Sequence, residues 1–173
     1  MKKNNFGLKG ILCHYSFIDC LKDIAIPCLF SIVILLCAIF KQCNSLSLLI
    51  SIIDIALIII PALFSLLLTA YLFLLTFMQT DKLRVLFSSD DGKKLLLQLN
   101  SSFALCVLTS AISLALSLII YIIIKLNFSC SLADIINYAV IFLVLLLLGF
   151  LIKIQFSIVI DLYNCGQVTF HMK

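Results

Sequence analysis

Long uncharged apolar runs alternate with short charged stretches along this chain, and the length of each run decides what it can be. Ile24 to Phe40 gives 17 residues without a charge, closed by Lys41. At 1.5 Å per residue it reaches roughly 26 Å as a helix, enough to cross a thin hydrocarbon core. The run starts too late and is too long for a cleaved signal peptide, and no small-x-small site follows it, so the pattern predicts a retained first span. Ile55 to Thr80 is uncharged over 26 residues, and its apolar character reaches back past Asp54 to Ser45, more than one bilayer thickness of sequence. Pro61 removes a backbone donor within it and marks the expected kink. A third span runs from Phe103 to Ile124, closed by Lys125, and a fourth from Ile135 to Ile152, closed by Lys153. Ser131-Leu-Ala-Asp134, just before the fourth, fits a capping box.

The chain then divides into an interfacial segment (1–23), four spans (24–40, 55–78, 103–124 and 135–152), outer loops (41–54 and 125–134), a central helical hairpin (79–102) and a tail (153–173). With four spans, the N-terminal segment, the hairpin and the tail share one side. They hold ten of the twelve basic residues, leaving Lys41 and Lys125 on the other. The positive-inside rule therefore predicts both termini in the cytoplasm. Tyr121 and Tyr138 near the outer ends, with Tyr15 and Tyr163 near the inner ends, fit interfacial aromatic belts.

Composition closes the alternatives. The chain has 173 residues, 64% hydrophobic and 12% charged, with a mean hydropathy of +1.29, and no water-soluble fold has interior enough for that much apolar surface. The net charge of +4 arises from 12 Lys and Arg against 8 Asp, with no Glu and with Arg84 as the one arginine. Such a small basic excess on a membrane chain speaks for orientation and contact with anionic lipid, not for direct nucleic-acid binding. The eight cysteines lie mostly in or beside apolar runs, where a thiol behaves as a small apolar group, and none is spaced C-x-x-C as zinc or thioredoxin chemistry requires.

Leu8, Ile11, Leu12, Tyr15 and Ile18 recur at helical spacing, so Phe6 to Lys22 reads as an amphipathic helix lying in the inner interface. In the central loop Asp91-Gly92 marks a turn. Leu83, Leu86 and Phe87 before it, and Leu95, Leu96, Leu97 and Leu99 after it, exceed what a lone hairpin hides. Leu83, Leu86, Phe87, Leu95, Leu96 and Leu99 are therefore the candidate docking surface for a cytosolic protein or another protomer. In the tail, Ile154, Phe156, Ile158, Ile160 and Leu162 alternate with polar residues, and Asn164-Cys165-Gly166 offers a turn. A short C-terminal β-hairpin is one reading, and continuation of span four as a helix, at least at first, is the other.

Span three carries Ser102, Cys106, Ser110, Ser113 and Ser117, spaced by four, four, three and four. Small, weakly polar side chains on one helical face let backbones approach closely, so tight helix packing is the first reading and a pore lining the second. Asp54 is a candidate intramembrane acid. If span two begins near Ser45 it is buried and needs a partner, with Lys41 or Lys125 nearest; if span two begins at Ile55 it is a boundary residue. Cys43 and Cys130 fall in the two outer loops, where an oxidising compartment permits a disulfide if their Cα atoms come within about 7 Å. His14 and His171 stand apart from any acid at ligand spacing. No metalloprotease, nucleophile-elbow or phosphate-loop motif is present, and no carboxylate pair lies within a span, so no catalytic residue, metal or cofactor is assigned.

The resulting all-α, four-span layout resembles the small membrane subunit of the bacterial Kiwa antiphage defence system, a four-span protein of similar length with both ends in the cytosol. The resemblance is one of layout across the whole chain. Asp81-Lys-Leu-Arg-Val and the Ser88 to Lys94 turn are where a family motif is to be sought. The Ile, Phe, Asn and Lys richness beside a single Arg also fits an AT-rich, mobile gene. The resemblance implies an oligomeric sensor of phage attack in the bacterial inner membrane, working with a cytosolic DNA-binding partner. The expectation is thus a non-enzymatic homo-oligomeric sensor and scaffold in contact with lipid. A small oligomeric pore that depolarises the membrane is the alternative. Lipid handling or transport would call for an inverted repeat and a pair of broken helices, which this chain lacks.

Overall fold

A computed structural model describes residues 17–77, 90–126 and 133–171. They form four helices: α1 (Phe17–Phe40), α2 (Ser45–Phe77), α3 (Asp90–Lys125) and α4 (Ala133–His171). Each contains a stretch long and apolar enough to cross a membrane, of 20 residues in α1, 32 in α2 and 30 in each of α3 and α4. The chain is a multi-pass membrane protein. Helix is the element such sequences adopt because hydrocarbon offers no partner for backbone N–H and C=O groups, and a helix pairs them internally. The expected N-terminal amphipathic segment and the first arm of the central hairpin lie largely outside the described residues. Phe17 to Asp23, the end of that segment, continues unbroken into the first span.

The turn after α1 shows how local chemistry reverses the chain. Gln42 adopts a left-handed conformation, φ 51°. Cys43 N–H donates to the Ala38 carbonyl at 3.1 Å, and Gln42 N–H donates to that of Ile39 at 3.0 Å. This is a Schellman ending. Asn44 then caps α2, its Oδ1 accepting from the N–H groups of Leu46 at 3.0 Å and Ser47 at 3.3 Å. The connection is therefore four residues, 41–44, and the expected outer loop 41–54 is corrected: α2 starts at Ser45 because Asn44 satisfies its first free donors. α2 continues as helix through Pro61.

α4 is the shared partner. It packs against α1, α2 and α3, while α2 and α3 also pack on each other. α1 meets α4 where Pro27 sits over Gly149; a Cβ on Gly149 would lie 2.9 Å from Pro27 Cβ and 3.3 Å from its Cα. Buried Ser31 donates to the Pro27 carbonyl at 2.8 Å, and Lys153 reaches Asp23 at 3.9 Å below the contact. α2 and α4 run parallel and in register. Asn137 Nδ2 donates to Ser45 Oγ at 3.1 Å, and Gln155 Nε2 donates to the Leu63 carbonyl at 2.8 Å, each pair 92 residues apart in sequence. The two ties are roughly 27 Å apart along the helices, close to the thickness of a hydrocarbon core.

The tail alternation resolves as helix to His171, so the β-hairpin reading is corrected. Among the described side chains from Leu151 to Tyr163, Leu151, Ile154, Gln155 and Ile158 are the buried ones, spaced three, one and three, which is a helical face. A strand would have buried Phe156 with Ile154 and Ile158, and Phe156 is exposed.

Two substitutions check these contacts. Gly149→Ala raises intrinsic helix propensity, yet it is expected to destabilise the fold by about 1–3 kcal/mol because the new methyl meets a rigid ring. Thermal unfolding in detergent reads the sign, and an increase in Tm would show that α1 does not seat on Gly149. Gln42→Gly is expected to stabilise by about 1 kcal/mol by relieving the left-handed backbone, measured the same way.

Candidate functional site

Polar side chains inside an apolar body must find partners, so their positions report what the helices do. On α3, Ser102, Cys106, Ser110, Ser113 and Ser117 are all buried, none more than 7% exposed. The face they form is enclosed against α2 and α4, the neighbours of α3. The ordered stripe is thus a packing seam inside the subunit, and in that position it does not line a pore. Ser110 donates to the Cys106 carbonyl at 2.8 Å. The side chains of Gln155 and Ser110 lie within hydrogen-bonding reach of the Cys106 sulfur. Neither is a base that would activate the thiol. Ser113 Oγ is buried with no hydrogen-bond partner, an uncommon state for a hydroxyl.

A polar clasp closes the end of the bundle at the α1–α2 turn. Ser45, itself buried, donates to Asp134 and accepts from Asn137. Tyr138 donates to the Cys43 carbonyl at 3.2 Å. Asp134 reaches across to α2 through Ser45, and Ser131, with which a capping box was expected, lies outside the described residues. Cys43 is half-buried, and Cys130, its candidate disulfide partner, also lies outside them. At the same end Lys125 Nζ stands 5.5 Å from the Tyr121 ring centroid, within cation–π range.

Of the docking candidates, Leu83, Leu86 and Phe87 lie outside the described residues. Leu95 and Leu96 lie within α3, with Leu96 half-buried. Leu99 is in the core and leaves the docking surface, because one turn of α3 beyond the expected span still packs against its neighbours. Leu97 is exposed instead. Near it, Tyr71 donates to Asn100 Oδ1 at 3.1 Å and its ring meets Phe103 at 5.1 Å. These residues border an apolar groove of about 440 Å³ between α2 and α3.

Asp54 lies nine residues past Ser45 and nine before Leu63, midway between the two ties of α2 to α4. It lies within α2 and is exposed on the outer side of the bundle, so the subunit does not enclose it, and no ion pair joins it to Lys41 or Lys125. A charged side chain at the centre of a spanning helix costs about 2.5–3.5 kcal/mol on insertion scales. The sequence did not single out Gln155 or Asn137 as ties between helices, and it offered Tyr138 only as an interfacial aromatic. The available signal was an uncharged amide or phenol set in an apolar run, which marks an interhelical tie where no solvent competes. Among the described residues, no three His, Cys, Asp or Glu side chains gather as a metal site requires.

The seam supplies its own test. Ser113→Ala removes an unpaired buried hydroxyl and is expected to leave stability unchanged or raise it by about 1 kcal/mol. Ser113→Leu overfills the seam and is expected to lower it by about 1–3 kcal/mol. Unfolding in detergent distinguishes them, and a tolerated leucine would put the seam outside the packed interior. No family model matches the chain, and no curated protein or solved structure matches it.

Proposed function

We propose that the chain is a non-enzymatic, self-associating inner-membrane subunit that senses the state of the membrane and conveys it to a cytosolic protein partner. By the resemblance in layout, its setting is bacterial antiphage defence and its partner a DNA-binding protein. The observation that supports the reading is continuity. α4 has 39 residues, roughly 58 Å of helix, nearly twice a hydrocarbon core. Its last sixteen residues lie beyond Gln155, the second tie to α2. α3 starts sixteen residues before Cys106, which stands beside Gln155. A tilt or rotation of the tied bundle is therefore carried along unbroken helices to the end where the predicted hairpin and tail lie.

That end is also sticky. Leu97, Phe156, Ile160 and Tyr163 are exposed there, in keeping with a docking surface shared by α3 and α4. Positive-inside placement of the basic residues puts this end in the cytoplasm. The amphipathic N-terminal segment, which responds to lipid packing and surface charge, is the sensing element in this reading.

The test is affinity purification of the tagged full-length chain in mild detergent with identification of co-eluting proteins. The wild type is expected to bring down one stoichiometric cytosolic protein. Leu86→Asp and Ile160→Asp are each expected to reduce that recovery at least about tenfold, with membrane insertion and subunit mass unchanged. Full recovery in both variants would remove the hairpin and α4 from the account.

A further inference from the structure

The outward surfaces of three of the helices are what a hydrocarbon solvent requires. Leu29 and Phe30 on α1, Ile112 and Ile119 on α3, and Ile135 and Leu143 on α4 are exposed apolar side chains. The outward surface of α2 is different. Ser47, Ser51, Asp54, Ser65, Thr69 and Thr76 are all exposed, and at 100° per residue they fall in one band about 80° wide. Ile58, Pro61 and Leu72 fill the rest of that band. It lies opposite the buried Ala56, Ile60, Leu67 and Leu74. The side of α2 farthest from the core is therefore its most polar side, the reverse of what lipid contact favours.

Three of the five hydroxyls in this band are already committed as donors. Ser51, Thr69 and Thr76 donate to backbone carbonyls one turn back, at 3.0, 3.0 and 2.9 Å. Those three keep oxygen lone pairs to offer, and the Asp54 carboxylate stands midway between the two ties to α4.

We propose that α2 packs against α2 of further copies of this chain around a common axis, and that Asp54 and the hydroxyl oxygens line a path there for a monovalent cation. Ionisable groups within spanning helices face a protein interior or a water-filled cavity, so the band is covered by protein. The cover must itself be polar at that depth. This chain carries such a surface on α2, while the outward faces of α1, α3 and α4 are apolar, so the band is matched by its own copy under closed symmetry. Symmetry brings like carboxylates together, and a cation held between them offsets their repulsion. A lining of neutral oxygens with a carboxylate ring suits an alkali cation and disfavours an anion.

The proposal shares self-association with the reading above and does not depend on a cytosolic partner. Its test uses the purified full-length chain, with mass measured in lipid nanodiscs and K⁺ and Cl⁻ flux measured in liposomes. The wild type is expected to be an oligomer passing K⁺ in preference to Cl⁻. Asp54→Asn is expected to keep the oligomer and lower K⁺ flux at least about tenfold, with Asp54→Glu restoring it. Ile58→Trp and Ser65→Trp, on the band, are expected to break the oligomer, whereas Val33→Trp on α1 leaves mass and flux unchanged. A monomeric wild type, an oligomer indifferent to both band tryptophans, an intact oligomer without K⁺ flux, or undiminished flux in Asp54→Asn each overturns the proposal. Loss of partner recovery with flux retained strikes the docking reading alone.

Discussion

Hydrocarbon offers a polar group no hydrogen-bond partner, and the rest of this structure depends on that constraint. It dictates helix as the element within the apolar spans, and it makes each polar side chain inside the bundle a fixed point. Ser45 with Asn137 and Asp134, and Gln155 with the Leu63 carbonyl, hold α2 and α4 parallel and in register. Apolar packing alone is permissive of sliding, since one leucine replaces another at little cost. A directed hydrogen bond at each end of a 27 Å interval is not.

Close approach supplies the second restraint. α1 makes its main contact with α4, and that contact centres on a proline ring over a glycine. Along α3 the small side chains of the seam do the same for α2 and α4, and hydroxyls in and beside it return to their own backbone. Thr109 and Ser110 both donate one turn back at 2.8 Å. In membranes such small-residue seams bring helices near enough for dispersion to act across backbone as well as side chains. Unpartnered Ser113 marks where the seam is set by size and not by hydrogen bonding.

Two helices each carry polar residues along one helical face, with opposite outcomes. On α3 the stripe turns inward and is consumed by packing; on α2 it turns outward and stays exposed around Asp54. Spacing shows that residues share a face but carries no information on what the face meets. Only the position of the neighbouring helices separates a seam from a surface. The same reasoning explains Leu99, which by sequence belongs to an apolar excess at a hairpin and in the fold belongs to the core. It also explains the tail, where alternation and helical periodicity coincided until the buried set decided between them.

The sequence alone determined the class, the number and order of crossings, the helical nature of each and the charge asymmetry of their connections. It could do so because burial in lipid depends on run length and charge, both local quantities. The short turn at 41–44 was within its reach too, since Asn44 is a good cap, but Asp54 argued locally against a helix starting before it. Tertiary structure decided which helices touch, that α4 is shared by the other three, that α2 and α4 are level, and which polar stripe is hidden. Those depend on pairs of residues such as the 92-residue separation of Ser45 and Asn137, and a one-dimensional pattern does not encode which distant residue answers a hydrogen bond.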